Sequence, residues 1–289
     1  MKTLHRIVSA MGLALLLSVA LISLGNAPGA AAEPVDVAAA TANAGWEEMG
    51  AGSASGGGIS NNPGVSGYPS LALAPDGNSV TAWQDNSGGN LEIYVKRWDG
   101  SKWVEMGSGS ATGGGISNNP GYSENPSLAI DPDGKAVVAW EDDSSGVQIY
   151  VKRWNGSAWV EMGAGSASGG GISNTAGSSA HPSLAIGSDG MPVVAWENSG
   201  SGNIEVYVKR WNGSAWVEMG AGSASGGGIS QNNGVSGDPS LAIGPDGVPV
   251  VAWQDNSGGN REIYARRYAG EQSPPLAFRS FIPAAFYKP

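Results

Sequence analysis

The sequence predicts an all-β protein, a four-bladed β-propeller of ~57-residue repeats, on three observations. First, Trp46, Trp103, Trp159 and Trp216 open equivalent segments at spacings of 57, 56 and 57 residues, and residues 159–173 and 216–230 are identical. A fixed period of this kind marks one supersecondary unit stacked several times. Second, each unit holds four short runs rich in Val, Ile, Tyr and Trp, separated by turn signals. Third, the 289 residues include 47 glycines, 11 tryptophans and no cysteine, and only 14% are charged. That composition excludes a disulfide scaffold, a Cys-ligated metal site and a coiled coil. A net charge of −10 excludes the basic face of a nucleic-acid binder.

The elements follow in order. Residues 1–32 read as a signal peptide: Lys2, His5 and Arg6 precede an uncharged apolar run from Ile7 to Leu24, and Ala30-Ala31-Ala32 offers a cleavage site. An uncleaved membrane anchor is the alternative for this run. Residues 33–44 read as a flexible leader, 45–270 as the propeller and 271–289 as a separate C-terminal tail that holds all three phenylalanines. In the second module the four strands are SLAI (127–130), VVAW (137–140), QIYVKRW (148–154) and WVEMG (159–163). Asp133-Gly134 and Asn155-Gly156 supply hairpin turns. SLAI, with its small residues, suits the crowded axis, and WVEMG suits the rim. The Gly/Ser/Asn stretch after WVEMG crosses from the rim of one blade to the axis of the next.

The blades are expected at 69–107, 126–163, 181–220, and 238–268 with 45–50. The last module stops after its third strand, so the N-terminal strand 45–50 is expected to complete it and close the ring, removing an open edge. A sandwich or a β-helix is the alternative architecture. If Trp98 pairs with Trp103 across a four-residue loop, Lys96 faces Glu105, Lys152 faces Glu161 and Lys209 faces Glu218, each as a salt bridge. The same register at the closure sets Arg266 against Glu48 and Tyr268 against Trp46.

The PSLAI, VVAW and EIYVKRWNGSAW units resemble secreted bacterial β-propeller repeats of the sialidase-like and fucose-lectin-like superfamilies, over residues 46–270. RWDGSKW (97–103) is similar to the W-D-G-x-x-W hairpin of the lectins. That resemblance implies sugar binding between blades through an arginine, a glutamate and a stacking aromatic. The glutamate position is filled by Val95, Val151, Val208 and Ala265. The S-x-D-x-G-x-x-W boxes of sialidases are not matched, because each aspartate here adjoins its glycine, as in Asp76-Gly77.

The candidate ligand-binding residues are Arg97, Arg153, Arg210 and Arg267, with Trp98, Trp154, Trp211 and Tyr268. An arginine fork suits planar or bidentate polar groups, and an aromatic face suits a sugar ring. Packing between blades is the competing role for the tryptophans, with Trp83, Trp140, Trp196 and Trp253 as the core set. QDNSGGN and EDDSSG offer oxygen ligands for calcium, but Asx turns explain them. His181, which has no counterpart in the other modules, reads as a loop residue. No catalytic residue, metal or cofactor is expected. The functional reading is a secreted, non-enzymatic, lectin-like module that binds an extracellular glycan or cell-surface ligand through repeated inter-blade grooves. The alternatives are a sialidase-like glycoside hydrolase or lyase, drawing on Asp131, Glu124 and Asp143, and a protein-binding adhesion element.

Overall fold

The computed structural model describes residues 45–270, so the signal peptide, the leader and the tail lie outside the described residues. The blades belong to one compact unit that begins at Glu47. Its strands run β1 Ser66–Leu73, β2 Ser79–Asp85, β3 Glu92–Trp98, β4 Trp103–Glu105, β5 Ser123–Ile130, β6 Ala136–Asp142, β7 Gln148–Trp154, β8 Trp159–Glu161, β9 Ser179–Ile186, β10 Pro192–Asn198, β11 Glu205–Trp211, β12 Trp216–Glu218, β13 Ser236–Ile243, β14 Pro249–Asp255 and β15 Glu262–Arg267. They form four antiparallel meanders, β1–β4, β5–β8, β9–β12 and β13–β15. No helix among the described residues is long and apolar enough to cross a membrane.

The second and third blades are covered on both faces by their neighbours, which is why their second strands are nearly unbroken apolar runs. Alternation still operates within them, since successive side chains point to opposite faces. Val80 and Ala82 join the cluster shared with the following blade, where Val138 and Trp140 meet them. Val137 and Ala139 face the other way, towards Val194 and Trp196. The small alanine on one blade leaves room for the large tryptophan of the next.

The outer hairpins adopt the expected register: Trp98 opposes Trp103, and Lys96 opposes Glu105, with the same pairs in the second and third blades. The salt bridges do not form. Nζ of Lys96, Lys152 and Lys209 instead donates to the carbonyls of Ile59, Ile116 and Ile172 in the preceding connector, each at 2.7 Å. The glutamates fold over connector amides, as Glu105 does at Gly109 and Ala111. A lysine arm reaching a desolvated carbonyl satisfies a group that an exposed ion pair would leave bare.

Ring closure by residues 45–50 is also corrected. Among the described residues β15 pairs with β14 alone, and residues 46–50 form no strand. Glu48, expected opposite Arg266, turns its carboxylate to the amides of Gly52 and Ala54 in its own connector. β5 packs on β1, β9 on β5 and β13 on β9, but β13 does not pack on β1 in this way. The exposures agree: Leu71 of β1 is 62% exposed, whereas its counterparts Leu128 and Leu184 are 6% and 7% exposed.

Candidate functional site

The expected ligand residues are mostly engaged within the fold. Arg153 pairs with Asp131, Arg210 with Asp189 and Arg267 with Asp246, at the turn that joins the first two strands of each blade. The Trp98, Trp154 and Trp211 rings lie 5.9 Å from those of Trp103, Trp159 and Trp216. Each also covers a glycine of the preceding connector. A Cβ on Gly107, whose φ is +94°, would stand 2.7 Å from Cζ3 of Trp154. Trp159 and Trp216 donate Nε1 to the carbonyls of Met106 and Met162 at 2.8 Å, tying each rim to the blade before it. Arg210, Arg267 and Tyr268 do meet, in a cleft of about 370 Å³ between the third and fourth blades.

Of the acids considered for catalysis, Asp131 is taken up by Arg153 and by the amides of its turn, and Asp143 accepts from Tyr122 N. Asn155, which opens an Asn-Gly-Ser glycosylation sequence, sits in an Asx turn: its Oδ1 accepts from the amides of Ser157 and Ala158. The acidic motifs are turns too, with Asp85 Oδ1 on Ser87 N and Asp142 Oδ1 on Ser144 N.

A different constellation lies at one end of the inner strands. Each inner strand carries a bulge before its Ser-Leu-Ala run, and the residue preceding proline there has positive φ: Tyr68 (51°), Asn125 (50°), His181 (51°) and Asp238 (50°). Non-glycine residues seldom hold this conformation, and when they do the site repays attention. At the bulges of the last three blades the backbone amide donates to the preceding blade, and the side chain meets the second strand of its own blade. Asn125 N donates to Gln84 Oε1 at 3.0 Å, and Asn125 Nδ2 donates to Glu141 Oε1 at 2.8 Å. His181 N donates to Glu141 Oε2 at 2.8 Å. His181 Nδ1 stands 3.1 Å from Glu197 Oε1 and 3.5 Å from Asp238 Oδ1. Asp238 N donates to Glu197 Oε2 at 2.9 Å, and Gln254 Nε2 donates to Asp238 Oδ2. Gln84, Asn125, Glu141, His181, Glu197, Asp238 and Gln254 thus form one continuous chain across four blades.

His181 is therefore a strand residue at the centre of this chain, not a loop residue. The hydrogen bond to Glu197, with the charges of Glu197, Glu141 and Asp238 behind it, raises its pKa to about 9 against the cost of burial. Burial opposes ionisation of Glu197, but His181 and the Asp238 amide outweigh it and hold this carboxyl below its usual range. Glu124, opposite Glu141 in the β5–β6 ladder, is pushed up by burial and then by the charges of Glu141 and Asp143. His181, Glu197 and Asp238 offer ligand atoms within 4.8 Å of one another, a spacing a cation can use. In the structure the His181 Nδ1 stands between the two carboxylates. One signal in the sequence marks this site. Among near-identical repeats, the residue before Pro-Ser-Leu-Ala is Tyr, Asn, His or Asp in turn.

No protein-family model matches the sequence, and no curated protein matches it. Solved structures do. A protein of unknown function from Dyadobacter fermentans aligns at a TM-score of 0.50 and 13% identity, over 72% of this chain and 67% of that one. An α-L-arabinofuranosidase of Fusarium graminearum, solved with arabinobiose, aligns at 0.47 and 14% identity, over 72% and 63%. An α-L-arabinanase of Penicillium chrysogenum aligns at 0.46 and 16%, over 73% and 63%. The chain thus spans less than two thirds of the length of the two enzymes. The fold is that of a β-propeller. At these identities the likeness reaches the architecture and singles out neither the sialidase-like nor the fucose-lectin-like branch.

Proposed function

We propose that the protein is a non-enzymatic carbohydrate-binding propeller of the cell exterior, with its site at the end of the inner strands. The observation that carries this reading is the chain from Gln84 to Gln254, because it runs through a position on the inner strands where the repeats carry four different side chains, Tyr68, Asn125, His181 and Asp238. Its carboxylates and amides are fixed on strands, where they can accept several hydroxyl protons in a set geometry. Tyr68, 65% exposed at the corresponding place on β1, adds an aromatic face of the kind on which a sugar ring stacks. Strong polar groups beside a flat apolar surface match the two faces of a pyranose or furanose.

A second reading rests on Glu124. A carboxyl whose pKa is pushed up by burial and by the charges of its neighbours, paired in the ladder with a second carboxyl at Glu141, is the kind of couple glycoside hydrolysis uses. A glycan array followed by calorimetry on the full chain, with reducing-sugar release assayed on every hit, separates the two. Binding without release, weakened at least ~10-fold by Tyr68→Ala or Asp238→Asn and unchanged by Arg267→Ala, supports the first reading. Release of sugar that stops in Glu124→Gln supports the second. Loss of binding in Arg267→Ala alone moves the site to the cleft of Arg210, Arg267 and Tyr268.

A further inference from the structure

The two ends of the blade array are complementary to each other, and we propose that a second copy of this chain docks there, blade 4 of one copy against the connector and blade 1 of the next. The argument is that the partner of each exposed surface is already present three times inside the molecule. At the first junction Val80, Ala82 and Ile93 of one blade pack with Met106 and Ile116 of the connector and Leu128 of the next blade. The corresponding residues of the open ends are Val250, Ala252 and Ile263 on one side, and Met49, Ile59 and Leu71 on the other. Ile263 is 77% exposed, whereas Ile93 and Ile149 are fully buried.

The hydrogen bonds repeat in the same way. Internal junctions are stitched by Val95 N to Ser110 O at 2.7 Å, Ile116 N to Ile93 O at 2.8 Å and Leu128 N to Ser70 Oγ at 3.0 Å. Ala265 N, Ile263 O and Ser240 Oγ on blade 4, and Ser53 O, Ile59 N and Leu71 N at the other end, are the same groups, and none of them makes the corresponding bond here. The Tyr264 ring shows the effect of the missing connector. In the first three blades the tyrosine donates its hydroxyl to a connector glycine and meets its tryptophan at a steep angle, 71° in the first. Tyr264 lies almost flat on Trp253, at 20°. The free edge of β15 adds a strand-pairing site next to this face.

Because the two surfaces differ, the contact is heterologous, and its rotation decides between a closed ring of copies and an open row. Sedimentation of the full chain over a range of concentrations tests it. The expected result is reversible association, weakened ~100-fold or more by either Leu71→Asp or Ile263→Asp, since each places an unpaired charge in the contact. Each variant keeps one intact end. A mixture of the two therefore forms a 1:1 dimer that grows no further, although each alone is monomeric. Both residues are exposed in a single copy, so circular dichroism of the dilute variants is expected to match the parent. A parent chain that stays monomeric at every concentration overturns the proposal, and is the result expected if the chain's own termini cover the two ends. Association that neither substitution weakens, or a mixture that forms no dimer, also overturns it.

Discussion

Leu71→Ala and Leu184→Ala make the same substitution at the same place in two repeats, and the structure predicts different costs. Leu184 is 7% exposed, in the cluster with Met162, Ile172 and Trp196. Truncating a leucine in such a core removes its transfer free energy and leaves a cavity, for about 2–5 kcal/mol. Leu71 is 62% exposed, so little of its side chain leaves water when a single copy folds, and its truncation should cost no more than about 0.5 kcal/mol. For a fold of this size each kcal/mol moves Tm by about 2–4 °C. A mid-range loss of about 3.5 kcal/mol at Leu184 therefore lowers Tm by about 7–14 °C, against about 1–2 °C or less at Leu71. The assay is thermal unfolding followed by tryptophan fluorescence at low micromolar concentration, repeated at ten and a hundred times that. The penalty at Leu71 should be small when dilute and grow with concentration, while that at Leu184 stays constant. Equal losses at the lowest concentration would refute the reasoning, because they would mean that the β1 face is already covered within one chain.

Three further outcomes follow from particular contacts. Ser166→Ala should cost about 1–3 kcal/mol for each backbone group it strands, because the buried hydroxyl accepts from Met162 N at 2.7 Å and donates to Val151 O at 2.9 Å; urea denaturation measures this. Asn198→Asp should stabilise by about 1 kcal/mol at neutral pH. Trp196 Nε1 is buried without an acceptor because Asn198 presents its amide nitrogen to Thr175 and Ser179, whereas Asp85 accepts from Trp83 at the same place. The new carboxylate should have a lowered pKa, as Asp85 does, so its gain holds above the ordinary aspartate range and fades as pH falls below it. Thermal melts at pH 7 and pH 3 decide the point. The His181–Glu197 contact should stabilise the fold fully below pH 6.5, where His181 is charged folded or unfolded, and lose that contribution as pH rises through about 9. The difference in Tm between the parent and His181→Gln should shrink over that interval, and a difference that does not change with pH would count against the pairing.

The repeat period, the strand pattern and the turn residues were enough to determine the local fold. Trp98 opposite Trp103 is a matter of loop length, and Asp133-Gly134 or Asn155-Gly156 fixes its hairpin whatever lies beyond it. The tertiary structure decided what no local rule contains. Lys152 turns from Glu161 to the Ile116 carbonyl because the preceding connector lies beside it. Arg153 is an ion-pair partner because the Asp131 turn is folded back onto its strand. The chain of groups through His181 draws on four blades, so residues about 40 positions apart meet only when the blades stack. Ring closure depends on the rotation between successive blades, which side-chain packing at each junction sets. The identity of the residues alone does not carry that rotation, which is set only when the facing side chains of two blades pack.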